Sequence, residues 1–359
     1  MDKKIEQKRI YSAMRGTLRE MPRKKINPKK HFTKIGYTRF YGKKRKKLNV
    51  WFYSRGCQHA LSKTGPCTMC SYMSESAFGV PIKESSLIYS LKKALKPSNR
   101  KKAKIIELLF NGSFFNDWEF SPKLRKDMFR IINASNFRKI IIETRPEYIS
   151  TKKIDELLSV IKNTELEVRM GLESSNSFIR NVCINKDTSL GSYNKAFKIL
   201  KKYKQIRVLT YCLIKPPFLD EKTAIEDSVN TVRYAFSKGA DTVSLKPLSV
   251  HHTTLVGRLY KRGLFKPPWL WSVIEVIRKT HNFGKVIIGT FEDLPMPEVL
   301  PRNCNKCSKK VAKKLFSYNV TRNLKELERL KCDCKREWRK ELRKRGDYRK
   351  NVKKYLSNS

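Results

Sequence analysis

The sequence is short of acid, of histidine and of long apolar runs, and each shortage excludes something. No stretch approaches the eighteen or so apolar residues that span a bilayer, so no membrane-crossing helix is expected. The opening residues, MDKKIEQKR, contain no apolar core of the kind a secretory signal needs. A cytoplasmic location is therefore expected, where thiols stay reduced. Nine cysteines in such a setting point to metal or catalysis before disulfides. Only 32 Asp and Glu stand against 80 Lys and Arg, a formal net charge of +48 over 359 residues. That field favours a polyanionic partner, nucleic acid first and an anionic membrane surface second. A hydrophobic share of 40% is enough to bury the core of one large catalytic domain with small appendages.

The positive charge is clustered. Residues 1–47 hold 18 Lys and Arg against 3 acids, with His31, Phe32, Tyr37, Phe40 and Tyr41 among them. Cations find phosphates, and aromatic rings stack on unpaired bases, so this segment reads as a basic N-terminal arm for RNA. A second basic stretch, KREWRKELRKRGDYRKNVKK (335–354), sets 11 Lys and Arg against 3 acids.

Between these stretches, apolar runs alternate with amphipathic ones. Strand-like runs occupy 48–54, 104–111, 138–144, 166–173, 206–214, 241–248 and 285–292. Helical patterns lie near 85–96, 121–135, 151–163, 189–203 and 221–238, with Ser85, Ser121, Thr151 and Ser189 as expected caps. Such alternation predicts an α/β fold of parallel strands with right-handed crossovers, a full or partial (βα)6 barrel. The site of such a barrel lies at the C-terminal ends of its strands. Three units follow: the arm at 1–47, the barrel at 48–298 and a small four-cysteine module with a basic helical tail at 299–359.

Directly after the first of these strands comes SRGCQHALSKTGPCTMCSY (54–72), with Cys57, Cys67 and Cys70 spaced C-x9-C-x2-C. A structural zinc site closes with four ligands, whereas three thiolates can hold a 4Fe-4S cluster with one iron open. At the mouth of a parallel barrel this arrangement resembles the radical S-adenosylmethionine (SAM) superfamily. The resemblance implies that the open iron is chelated by SAM, whose reductive cleavage yields a radical that abstracts hydrogen. The wide first gap is similar to that of the Elongator catalytic subunit. FNGSFFND (110–117) stands where the superfamily carries a glycine-rich SAM motif, so Asn111, Gly112 and Ser113 are implied to hold the cofactor through their backbone. The motif's usual glutamate is missing. IETRPEYI (142–149) resembles the ETRP motif of Elongator-like enzymes and implies catalytic roles for Glu143 and Arg145. In MGLESSN (170–176), Glu173 stands where the family contacts SAM, and Met69 replaces an aromatic found in many relatives.

GPCTMCSYM (65–73), TYCLIKPPFLDEKTAIED (210–227) and KPPWLWSVIEV (266–276) bring the resemblance closer, to the archaeosine-forming radical SAM lyases. That family implies a tRNA substrate with a lysine-adducted 7-deazaguanine, cleaved at the lysine carbon–nitrogen bond. It also implies a lysine-transferring archaeosine synthase subunit as partner and an electron donor for the cluster. Elongator-like modification of another base, and a non-catalytic zinc-stabilised RNA-binding protein, are the alternatives.

In the C-terminal module, Cys304 and Cys307 form C-x2-C and Cys332 and Cys334 form C-x-C, with 24 residues between the pairs. Four cysteines in two close pairs read as a closed zinc site, with an auxiliary iron–sulfur cluster as the competitor. Cys183 and Cys212, set among apolar neighbours, read as packing residues.

Overall fold

The computed structural model describes residues 3–41, 43–100, 103–161, 163–289, 291, 295–344 and 346–357. One eight-stranded sheet runs in chain order: β1 (His31–Phe40), β2 (Lys43–Phe52), β3 (Ile105–Leu109), β4 (Lys139–Thr144), β5 (Glu165–Glu173), β6 (Ile206–Ile214), β7 (Thr242–Pro247) and β8 (Val286–Ile288). β1 pairs antiparallel with β2, and every later neighbour pairs in parallel. Sheet order ends at β1 and β8 without closing, so the barrel is partial, a curled half-barrel.

All seven parallel strands lie within or overlap the expected runs, because buried parallel strands need continuous apolar residues. In β5, Leu166, Val168, Met170 and Leu172 enter the main core, while Glu165, Glu167 and Arg169 alternate onto the other face. Across that inner wall Arg169 pairs with Glu107 of β3 and with Glu167, and lies 3.4 Å from the Tyr211 hydroxyl of β6.

Ser121 and Ser189 cap their helices as expected, accepting the N–H of Leu124 and Ser192. Two caps fall elsewhere. Ser150, not Thr151, accepts the Lys153 N–H, and the helix Glu84–Ala94 begins one residue before Ser85 with no side-chain cap bond. Cys183 and Cys212 are fully buried among apolar side chains.

The described residues of the basic segment 1–47 fold onto the half-barrel, chiefly as the helix Lys3–Arg19, strand β1 and the start of β2. A second apolar cluster joins that helix, through Ile10 and Met14, to Val352, Tyr355 and Leu356 of the helix Tyr348–Ser357. Both helices lie over the loops that follow β5, β6 and β7, where Phe178, Phe218 and Val250 complete the same cluster.

Candidate active site at the mouth of the half-barrel

Cys57, Cys67 and Cys70 are half-buried on the long loop after β2. Two segments distant in sequence fix that loop. From the turn after β5, the Ile184 carbonyl accepts the Thr68 N–H at 2.9 Å, and the Cys183 carbonyl accepts the Thr68 hydroxyl at 2.9 Å. Asn185 donates from Nδ2 to the carbonyls of Thr64 and Pro66 at 2.9 and 2.8 Å. From the loop after β3, the Glu119 carboxylate accepts the Gln58 N–H at 3.0 Å, Asn116 Nδ2 at 3.1 Å and the Ser113 N–H. Gln58 follows Cys57 directly, so Glu119 ties the first cysteine to the Gly112–Ser113 turn. The Glu119 carboxylate lies so close over Gly112 that a Cβ there would have to displace it. Gly65, at φ +75°, admits the helix Lys3–Arg19: a Cβ at 65 meets the Cβ of Met14 at 2.9 Å.

Burial dominates the thiols. It pushes Cys57 up to about 11, with Glu119 adding to the rise, and Cys70 up to about 12, with the other two sulfurs adding. Cys67 is raised by burial as well. Against this, Arg145 lowers Cys57 and Cys67, and Lys186 lowers Cys67 and Cys70. Thiols held this high ionise when a metal takes the proton's place, so ligation here releases protons.

Arg145 is buried beneath the loop. Its Nη2 donates to the Lys186 carbonyl and the Thr188 hydroxyl, both at 2.6 Å, its Nε pairs with Glu147, and its N–H donates to Ser113 Oγ at 3.2 Å. Glu173 forms a 3.0 Å ion pair with Lys186. Its backbone is left-handed (φ +64°) at a register shift between Gly171 and Glu173, a bulge that re-aims the strand end. Asn111 anchors the rim through a 2.6 Å bond from Nδ2 to the Glu75 carbonyl. The mouth thus gathers the three cysteines, the 111–113 turn, Arg145 and Glu173.

Glu143 points elsewhere. Its carboxylate accepts the Tyr211 hydroxyl on the inner wall, and burial raises its pKa. Sequence reasoning missed Glu119, Asn185 and Lys186. Glu119 lies six residues beyond the motif that lacks its glutamate, the one signal that could have found it. For Asn185 and Lys186 there was none.

A second group stands apart. The sulfurs of Cys304 and Cys307 are 3.7 Å apart, those of Cys304 and Cys332 3.6 Å, and those of Cys307 and Cys334 3.6 Å. All four lie within 4.8 Å of one another. With Zn–S bonds of about 2.3 Å, a tetrahedron has edges of about 3.8 Å, so this spacing suits a single ion. The indole of Trp271, in the PPWLW stretch, donates to Cys334 Sγ at 3.3 Å.

No family model matches the chain. Archaeosine synthase subunit beta of Methanosarcina acetivorans is 32% identical over 310 residues, covering 84% of this chain and 86% of that protein. Its namesake from Thermococcus kodakarensis is 30% identical over 282 residues, covering 76% and 84%. The chain belongs to the archaeosine synthase subunit beta family. It is therefore a member of an enzyme family. Among solved structures, this family member is similar to methylornithine synthase (TM-score 0.49, 13% identity, 79% of this chain and 70% of that one). It is also similar to a radical SAM methyltransferase from Sphaerobacter thermophilus (TM-score 0.49, 14% identity, 74% and 71%). No helix among the described residues is long and apolar enough to cross a membrane.

Proposed function

We propose that the protein acts on tRNA, cleaving the lysine carbon–nitrogen bond of a lysine-adducted 7-deazaguanine to leave archaeosine. One observation carries the reading: three thiols stand at the mouth of a parallel half-barrel beside the cations Arg145 and Lys186. Cys57, Cys67 and Cys70 would hold a 4Fe-4S cluster. Cluster and SAM, when bound and reduced by one electron, supply hydrogen abstraction.

The chain's own residues do the remaining work. Arg145 and Lys186 offset the charge of three ligating thiolates, which burial alone would disfavour. Asn111, Gly112 and Ser113 offer backbone groups on the rim, and Glu173 offers a carboxylate, the complements of a methionyl ammonium. Below them, the Tyr211 hydroxyl donates to the Glu143 carboxylate on the inner wall, a pair that would serve a substrate entering the hollow as acid or base. The lysine donor is a separate archaeosine synthase subunit, the reductant an electron carrier, and the setting the cytoplasm. Zinc at Cys304, Cys307, Cys332 and Cys334 is supported by the sulfur spacing, which is short for thiolates spread over the corners of a cluster.

Mass spectrometry of nucleosides from tRNA tests this. Loss of archaeosine with accumulation of the lysine adduct is expected in cells lacking the protein. Unchanged archaeosine would overturn the assignment.

A further inference from the structure

The two basic terminal helices, Lys3–Arg19 and Tyr348–Ser357, lie more than 300 positions apart in sequence and form one layer. The helix Lys3–Arg19 turns Glu6, Ile10, Met14 and Thr17 inward, and its outer stripe is Lys8, Arg9, Ser12, Arg15 and Arg19. The helix Tyr348–Ser357 turns Val352, Tyr355 and Leu356 inward and exposes Arg349, Lys350, Lys353 and Lys354. Tyr348 packs on Phe178, Tyr355 on Phe218, and Asn351 Nδ2 donates to the Phe218 carbonyl at 2.8 Å. Together the helices cover the cysteine loop and the rim, and Cys67 and Met69 pack against the same apolar cluster.

The outer charges are uncompensated. Helix Lys3–Arg19 contains one acid, Glu6, and it is buried; helix Tyr348–Ser357 contains none. Among the described residues, no carboxylate pairs with Lys8, Arg9, Arg15, Lys350, Lys353 or Lys354. Yet Lys350 and Lys354, four apart, repel. The neighbouring helix Lys335–Arg343 and the residue after it spend their bases differently: Lys340 pairs with Glu337 at 3.0 Å and Lys344 with Glu341 at 2.6 Å. An unpaired, one-signed face fits an external polyanion. A membrane does not fit, because the apolar faces of both helices are already turned into the protein.

We infer that these two helices form one docking platform for the RNA backbone, flush with the site, so that phosphate contacts on the platform present a base to the mouth. The inference rests on the proposed action on tRNA. Its test uses the full chain and an unmodified tRNA transcript, with affinity measured over a salt series. Three triple variants are compared: Lys350, Lys353 and Lys354 to Gln; Lys8, Arg9 and Arg15 to Gln; and, as control, the exposed Lys309, Lys310 and Lys313 of the helix Ser308–Thr321 to Gln. Glutamine keeps helix propensity, so folding is preserved and checked by thermal melting. Each platform triple is expected to weaken binding about tenfold and flatten the salt slope by about two to three. The control should change affinity less than about threefold. SAM cleavage without RNA should be unchanged throughout, which separates failure of the platform from failure of the chemistry. Equal losses in platform and control triples would overturn the inference, as would loss of binding to phosphatidylserine vesicles with tRNA binding intact.

Discussion

Trp271 of the barrel wall donates its indole N–H to the sulfur of Cys334 at 3.3 Å, joining the half-barrel to the four-cysteine group. The next residue continues the junction: Ser272 Oγ accepts the Trp338 indole at 2.8 Å and donates to Glu221 at 2.6 Å. Glu221 in turn accepts Lys215 Nζ at 2.8 Å, just beyond β6. The PPWLW stretch therefore serves the module as well as the barrel wall.

Trp271→Phe removes the N–H donor to the Cys334 sulfur while keeping an aromatic ring. Outer hydrogen bonds to ligands are worth about tenfold or more in metal affinity. Zinc affinity, measured by competition with a chromophoric chelator, should fall by about that factor, with a lowered melting temperature. Unchanged affinity would detach the tryptophan from the metal site.

Glu119→Gln leaves one oxygen for three donors and turns an amide NH2 toward backbone N–H groups. A loss of about 1–3 kcal/mol is expected. The loop bearing Cys57 should loosen, so iron bound after anaerobic reconstitution should fall while Glu119→Asp retains part of it. Iron content equal to that of the unaltered protein would show that the clamp does not position the ligand.

Asp227 gives a pH signature away from the metal ligands. Burial raises its carboxyl from 3.8 to about 7, against a 2.6 Å bond from Ser174 Oγ and the pull of Arg180. The folded state keeps this proton to higher pH than the unfolded chain does. Stability therefore falls as pH rises from about 4 through about 7, by on the order of 1–3 kcal/mol. Asp227→Asn should flatten that decline in denaturant titrations at pH 5 and 8. An equally steep decline in the variant would assign it to other groups.

Much of this was legible in the sequence, for physical reasons. Parallel strands buried on both faces announce themselves as runs such as IRVLTYCLI, and the three-cysteine spacing places its loop after the first of them. β1 was not legible: HFTKIGYTRF is polar, exposed along much of its length and pairs antiparallel at a sheet edge, so it reads as part of a basic arm. The start of β2 was hidden for the same reason, since Lys43–Lys46 are exposed. At the site, ligands were readable as residue types, but the groups that fix them were not. Glu119 lies 62 positions from Cys57, and Asn185 reaches Thr64 and Pro66 from 121 and 119 positions away, contacts that only the fold creates. Glu143 was readable as a strand-end carboxylate, while its turn toward Tyr211 depends on the neighbour supplied by β6.

The central claim is that Cys57, Cys67 and Cys70 hold a cluster that opens SAM to reductive cleavage. The direct measurement is 5′-deoxyadenosine formation by protein reconstituted anaerobically with iron and sulfide, then reduced in the presence of SAM. The unaltered protein should be brown and form it, and Cys57→Ala, Cys67→Ala and Cys70→Ala should each abolish it while tRNA binding stays nearly intact. A colourless zinc protein that leaves SAM whole, or any one of the three variants with full cleavage, would contradict the account.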